Sequence, residues 1–348
     1  MVPSTNRLTL VAVLALGCAV RPASPAASSA SAPVNRKPVI ATDDSIIIRR
    51  EAVRISASVP LAATLLIPQV AVPAPAVVIV HGSGSSDRTN AWTSAYAEDL
   101  ARSGVVVLYP DKRGSGESGG DWRTATFGEL ASDAAAAVSL LRARPEVDSA
   151  RVGALGFSQG GYVVPILASE HDELAFAAVI SGGTLSLMSQ VLGEIEMEAV
   201  ERGAPLDSAE QARLRRIYES LFSFGRSHAG WASLQAEAEQ ARSQSSRLDY
   251  ALRTLPTDST HWVLNWIGRT GDFDPIPHWR RVRQPVMMIY GGRDTQLRPR
   301  RSIERLWDAV GADAANFSVL LFQGNGHALH RDDVIAMLAA WIHHGGRP

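Results

Sequence analysis

The chain has 348 residues, of which 46% are hydrophobic and 20% are charged, and its formal net charge is -1. This composition is typical of a globular protein with one large domain or a domain that carries an insertion. The near-neutral charge and the lack of like-charge blocks argue against nucleic acid or an anionic surface as a partner.

The N-terminus has the pattern of an export signal. Arg7 precedes an apolar run from Leu8 to Leu16, which is too short to span a bilayer but suits the hydrophobic region of a signal peptide. Residues 1–18 end in Gly17-Cys18, which resembles a bacterial lipoprotein signal, although that pattern prefers leucine where Ala15 stands. The resemblance implies that Cys18 is lipidated. The alternatives are a secretory signal that is cut further along the chain, and a cytoplasmic protein.

Residues 19–44 are rich in alanine, serine and proline and show no apolar periodicity, so we expect a disordered tether. A tether after a lipidated Cys18 would hold the rest of the chain near a membrane. We therefore expect an exported protein, lipid-anchored to the cell envelope on its periplasmic or extracellular face, with no other contact to the membrane.

Residues 45–184 and 281–348 alternate between short apolar runs and helical patterns, after an opening pair of strands. The predicted strands are 46–55, 57–67, 76–80, 105–109, 151–155, 175–180, 285–290 and 317–322. The predicted helices are 91–102, 127–142, 161–168, 300–310 and 332–343. Continuous apolar strands separated by helices predict an α/β fold, with a mostly parallel eight-stranded sheet covered by helices on both faces.

The alternation stops in residues 185–280, which contain no convincing strand and read as helical. Ser208 with Gln211 has the form of a capping box, and Gly225 has the form of the stop of the same helix. Residues 229–255 and 259–269 also have helical patterns. We interpret this segment as a helical cap inserted into the α/β core.

The motif Gly156-Phe157-Ser158-Gln159-Gly160 lies between a predicted strand and a predicted helix. A G-x-S-x-G in this context is typical of a nucleophile elbow, whose sharp turn exposes the serine hydroxyl. Taken alone, the motif would be equally compatible with an ordinary turn. Because candidates for the catalytic base and for the acid that orients it also follow predicted strands, we take Ser158 as the catalytic nucleophile.

A serine nucleophile needs a base, a group that orients the base, and donors for the oxyanion. His327 follows the last predicted strand in a glycine-rich loop, and it is the predicted base. Asp294 follows the strand 285–290 and is the predicted acid, with Asp272 and Asp274 as alternatives in the cap. The oxyanion donors are expected to be the backbone N–H groups of Gln159 and of Ser83 or Gly84. The latter two lie in the loop after strand 76–80.

The order Ser158, Asp294, His327 resembles that of the α/β-hydrolase superfamily. The motifs His81-Gly82-Ser83-Gly84 and 111–118 (DKRGSGES) are similar to those of capped bacterial serine esterases related to dienelactone hydrolases and prolyl oligopeptidases. Within the second motif we interpret Arg113 as a structural residue that ties loops around the site. The serine nucleophile differs from the cysteine of dienelactone hydrolases proper and from the aspartate of haloalkane dehalogenases.

These residues predict a serine hydrolase that cleaves small-molecule carboxylic esters through an acyl-enzyme and needs no cofactor or metal. The alternatives on the same triad are a peptidase, a thioesterase or an acyltransferase. A binding lipoprotein without catalysis is an alternative of another class. Trp262 and Trp266 are candidates for the substrate pocket, with packing inside the cap as the competing interpretation. The sequence specifies no oligomeric state.

Overall fold

A computed structural model describes residues 45–71 and 73–347, and a single sheet runs through its centre. The strands are β1 Ile48–Ser56, β2 Pro60–Pro68, β3 Ala74–Val80, β4 Val106–Pro110, β5 Val147–Phe157, β6 Ala177–Ile180, β7 Val286–Gly291 and β8 Phe317–Phe322. Their spatial order is β1-β2-β4-β3-β5-β6-β7-β8. Strand β2 is antiparallel to both of its neighbours, β1 and β4. Every later pair in the spatial order, from β4–β3 to β7–β8, is parallel.

The helices of the described residues lie between and after these strands. They are α1 Ala91–Arg102, α2 Phe127–Arg142, α3 Gly160–Glu170, α4 Leu187–Glu201, α5 Ser208–Ser227, α6 Trp231–Gln244, α7 Ser246–Ala251, α8 Trp262–Thr270, α9 Ile276–Trp279, α10 Pro299–Val310 and α11 Asp332–His343. None of them is both long and apolar enough to cross a bilayer.

The burial of each strand follows its place in the sheet. Every residue of the central strand β3 is buried, as expected for a parallel strand covered on both faces. The edge strand β1 instead alternates, and the charged side chains of Arg49, Arg50 and Glu51 form ion pairs on the surface. Charges of this kind protect an exposed edge from pairing with another chain.

Two apolar layers enclose the sheet. Helices α1 and α11 pack with one face, in a cluster that contains Tyr96, Phe157 and Trp341. Helices α2, α3 and the segment α4–α9 share the larger cluster on the other face, which contains Tyr162, Leu214 and Trp279. The inserted helices are therefore continuous with the hydrophobic core.

Two sequence predictions within the insertion are wrong in detail. The capping box of α5 is formed by Asp207 and Glu210, one residue earlier than the predicted Ser208 and Gln211. The Asp207 carboxylate accepts hydrogen bonds from the N–H groups of Ala209 and Glu210, both at 2.9 Å. A carboxylate at this position also places negative charge at the positive end of the helix dipole.

Gly225 does not end α5, which continues to Ser227 and is followed by His228 with a φ of 54°. The glycine instead permits close packing of α5 on α8. A Cβ at Gly225 would lie 2.8 Å from the backbone oxygen of Leu264, and a Cβ at Gly268 would lie even closer to the oxygen of Gly225. Its role is therefore helix–helix contact.

The remaining differences concern boundaries and one short helix. The predicted helix over 229–255 is divided at Ser245, whose extended backbone and side chain cap α7. The short helix α9 was not predicted. The opening strands begin two and three residues later than expected, at Ile48 and Pro60.

Candidate active site

Ser158 stands in the sharp turn between β5 and α3 with a φ of 50°, a left-handed conformation that is strained for a serine. Its N–H donates to the oxygen of Ile180 on the neighbouring strand at 3.0 Å. A Cβ at Gly156 would lie 2.7 Å from the Val164 side chain and 3.0 Å from Gly160, so glycine is required there for the approach of strand and helix. This is the geometry of a nucleophile elbow.

The structure brings Ser158, His327 and Asp294 together from three different strand ends. Ser158 Oγ lies 3.1 Å from His327 Nε2, and His327 Nδ1 lies 2.8 Å from Asp294 Oδ2. The carboxylate fixes the ring with its proton on Nδ1, so Nε2 is free to accept the serine proton. His327 and Asp294 are both buried, at 8% and 2% exposure.

The carboxylate of Asp294 is oriented by its own loop. Its Oδ1 accepts hydrogen bonds from the N–H groups of Gln296 and Leu297, at 2.8 and 3.1 Å. These bonds leave Oδ2 directed at His327. A carboxylate held in this orientation can stabilise an imidazolium on His327.

Other side chains, which the sequence analysis did not single out, hold the His327 loop. Ser181 Oγ donates to the backbone oxygen of His327 at 2.7 Å. Trp92 Nε1 and Tyr96 Oη, one turn apart on α1, both donate to the oxygen of Leu329, at 3.0 and 2.9 Å. The Trp92 ring also packs on the imidazole, with centroids 5.4 Å apart. The only sequence signal was the spacing of two aromatic residues on one helix face.

The rival residues have other partners. Asp272 and Asp274 pair with Arg226 and Arg305 respectively, whereas the carboxylate bonded to His327 is that of Asp294. The remaining histidines are held by other partners; examples are His278 with Ser169, His330 with Asp99, and His343 with the oxygen of Ser103. Within the described residues, no cluster of His, Cys, Asp and Glu has the form of a metal site.

The loop after β3 lies against the serine. A Cβ at Gly82 would be 3.4 Å from Ser158 Cβ and 4.0 Å from its Oγ, which puts the peptide between Gly82 and Ser83 beside Ser158. Gln159, directly after Ser158, precedes α3. The two predicted oxyanion donors, Ser83 and Gln159, therefore lie on loops that flank Ser158.

His81 supports this loop and is not available as a base. Its ring lies between Ser86 Oγ, at 2.9 Å, and the oxygen of Pro110, at 2.6 Å. Burial lowers the pKa of His81 to about 4, so its imidazole is neutral at neutral pH.

Lys112, a residue that the sequence analysis did not assign, is hydrogen-bonded to the same loop. Its Nζ donates to the oxygens of Gly82 and Gly84 and to Oε1 of Gln159. The neighbouring Arg113 makes a bidentate pair with Asp133 on α2, at 2.6 and 2.7 Å, and also contacts Ser58. Arg113 thus joins the turn after β4 to helix α2 and to the β1–β2 turn, whereas the sequence analysis expected it to tie loops around the site.

A small cavity of about 20 Å³ opens beside Gln159. Trp262 and Trp266 line it, together with Trp122 from the segment between β4 and α2. The Trp122 ring meets the Trp262 ring edge-on, at a centroid distance of 5.2 Å. Trp266 also donates its Nε1 hydrogen to the oxygen of Ala125 at 3.0 Å. Cys18, the predicted lipidation site, lies outside the described residues.

Comparison with known proteins identifies the family. The family model of the X-Pro dipeptidyl-peptidase (S15 family) matches residues 58–328. The chain belongs to this family. Esterase EstD of Thermotoga maritima is 26% identical to this S15-family chain over 274 residues, 76% of the chain and 57% of that protein. Dipeptidyl-peptidase 5 of Porphyromonas gingivalis is 29% identical over 128 residues, 35% of this chain and 19% of that protein.

The S15-family chain thus spans less than two thirds of the length of these curated relatives. Among solved structures, an esterase of Pyrococcus furiosus superimposes with a TM-score of 0.55 at 15% identity, covering 86% of this chain and 90% of that one. The likeness confirms the predicted α/β-hydrolase fold. The family match and the fold are therefore both those of the α/β-hydrolase type.

Proposed function

We propose that this S15-family protein cleaves carboxylic esters through an acyl-enzyme, with Ser158 as nucleophile, His327 as base and Asp294 as orienting acid. The observation that carries the proposal is the continuous chain of contacts from Ser158 Oγ through both ring nitrogens of His327 to Asp294. A neutral serine hydroxyl is a poor nucleophile, and this arrangement supplies the base that activates it.

In the first half-reaction, Ser158 Oγ forms a bond to the ester carbonyl carbon while its proton passes to His327 Nε2. The tetrahedral intermediate then collapses, the bond to the alcohol oxygen breaks, and the imidazolium returns the proton to the departing alcohol. Water repeats the sequence on the acyl-enzyme and releases the carboxylic acid. Asp294 orients the His327 ring and stabilises the imidazolium in both halves.

The oxyanion of each tetrahedral intermediate needs N–H donors that are already in place. We assign the backbone N–H groups of Ser83 and Gln159 to this role. Support comes from the position of Gln159 directly after the nucleophile and from the packing of the Gly82–Ser83 peptide against Ser158.

The ester assignment is supported by the relative named an esterase, which matches three quarters of the chain. The family's name supports a second candidate, hydrolysis of peptides after an X-Pro dipeptide, by the same triad.

We further propose that the inserted helices α4–α9 act as a cap. Support for this is the pair Trp262 and Trp266, which line the cavity beside Gln159.

The test of the proposed triad is Ser158→Ala. Because the serine supplies the attacking oxygen, turnover of an activated ester should fall by about 10⁴-fold or more while the melting temperature stays near that of the parent. His327→Ala should be nearly as severe, and the double variant should lose little more, since triad members act as a unit.

A Ser158→Ala protein that keeps the parent's rate would overturn the proposal. A separate assay of the parent protein on p-nitroanilide, thioester and ester substrates that share one acyl group would rank the three bond types by kcat/KM. A kcat/KM on Ala-Pro-p-nitroanilide above that on the ester would replace the esterase with the peptidase candidate.

A further inference from the structure

Lys112 is a buried cation, only 8% exposed, in the turn that follows β4. Its Nζ donates three hydrogen bonds, to Gly82 O at 3.0 Å, Gly84 O at 3.2 Å and Gln159 Oε1 at 2.8 Å. An ammonium group has three N–H donors, so all of them have acceptors here. A buried lysine of this kind is rare and needs an explanation.

The three acceptors belong to the two segments that supply the proposed oxyanion donors. Gly82 O is the carbonyl of the peptide whose N–H belongs to Ser83. A carbonyl that accepts a hydrogen bond polarises its peptide and strengthens the N–H as a donor. The third acceptor is the side chain of Gln159, whose backbone N–H is the other donor. One ammonium group thus connects both donors.

Among the residues that the structure describes, no carboxylate is bonded to Lys112 Nζ. Asp111, the preceding residue, is bonded to Arg88, and Asp133 on α2 is bonded to Arg113. His81, on the loop above, is neutral because burial lowers its pKa to about 4. All three acceptors of Lys112 are uncharged amide oxygens, so the positive charge is available to an oxyanion that forms nearby.

We propose that protonated Lys112 is a positioning residue for the oxyanion hole, which joins the Gly82–Gly84 loop to Gln159 and adds positive charge behind both N–H donors. The proposal rests on the proposed serine hydrolase function. Lys112 also lines the cavity beside Gln159, and in this role it neither accepts nor donates a proton during the reaction.

The role depends on protonation. Burial lowers the pKa of Lys112 to about 7. A neutral amine has two N–H donors and a lone pair, so one of the three oxygens would lose its partner and face a lone pair instead. The titratable groups near Lys112 are His81, Asp111 and Asp133. His81 is neutral, and the two carboxylates are bonded to arginines, so the change in charge is assigned to Lys112. Activity should therefore fall as pH rises through the titration of Lys112.

The experiment compares pH profiles of kcat and kcat/KM on a non-ionising ester for the parent, Lys112→Met and Lys112→Arg. Arginine stays charged throughout. We expect the parent to lose activity above about pH 7 and Lys112→Arg to lack this loss. In Lys112→Met, kcat should fall by about 10- to 100-fold with KM nearly unchanged, since the missing interaction acts on the transition state.

Arg113→Lys is the matched control, because it weakens the adjacent buried cation pair without touching the oxyanion loop. It should lower the melting temperature but keep the parent's pH profile. If Lys112→Met does not fold, the alkaline loss in the parent and its absence in Lys112→Arg still decide the question.

A parent profile without any loss between pH 7 and 10 overturns the role of Lys112, and so does a Lys112→Met protein with the parent's kcat. In either case, continued labelling of the parent by a fluorophosphonate leaves the serine hydrolase function standing. A parent that neither reacts with the probe nor turns over ester overturns both proposals.

Discussion

At the scale of single residues, the site depends on strain and burial. Ser158 is held with a φ of 50° by its hydrogen bond to Ile180 O and by close contacts around Gly156. A non-glycine residue in this region costs about 1–3 kcal/mol, which the surrounding strands and helix must offset. The strain is consistent with a functional role, because it exposes the hydroxyl to His327.

Asp294→Asn tests the acid directly. The amide is close to the carboxylate in shape, but it favours the wrong tautomer of His327, so kcat should fall by about 10⁴-fold with little change in melting temperature. The matched control is Asp274→Asn, since Asp274 is bonded to Arg305 and not to His327. A harmless Asp294→Asn together with a damaging Asp274→Asn would show that the acid is misassigned.

Part of this site could be predicted from residues alone. Ser158, Asp294 and His327 each follow an apolar strand, and parallel strands bring their C-terminal ends to one edge. Lys112 could not be found in the same way, because its partners are two backbone oxygens and one amide. No pattern in the sequence marks such contacts.

At the scale of helices and strands, the predictions succeed where the apolar pattern is strong. The helices α1, α2 and α11 and the strand β8 have the predicted bounds. The failures lie where a local signal had another use. Gly225 reads as a stop but provides the contact with α8, and Ser208 yields the cap position to Asp207. Tertiary packing decided the first case, and a carboxylate one residue earlier decided the second.

A substitution in helix α8 tests the proposed cap. Trp262→Ala should enlarge the cavity beside Gln159 and change KM among esters of different acyl length by more than it changes kcat on acetate esters. Trp231→Ala is the matched control within the insertion, since Trp231 packs on Phe224, with centroids 5.0 Å apart, and does not line that cavity. Equal effects of Trp262→Ala on all esters, with a loss of stability, would favour a packing role.

At the scale of the whole molecule, one sheet and its two apolar layers bring distant parts of the chain to a single edge. Ser158 and His327 are 169 positions apart in sequence and lie within hydrogen-bond distance. Residues 58–328, which match the S15 family, include all three residues of the proposed triad and the insertion. The proposed anchor at Cys18 lies outside the described residues and stays a prediction from the sequence.

The central claim is that Ser158 is the nucleophile of a serine hydrolase. It is tested most directly by reacting the intact protein with a fluorophosphonate and mapping the adduct by peptide mass spectrometry. We predict a single adduct on the peptide that contains Ser158, formed as activity is lost, absent in Ser158→Ala and slowed in His327→Ala. An adduct on a different serine that accompanies inactivation, or full ester turnover after Ser158 is occupied, would contradict the account.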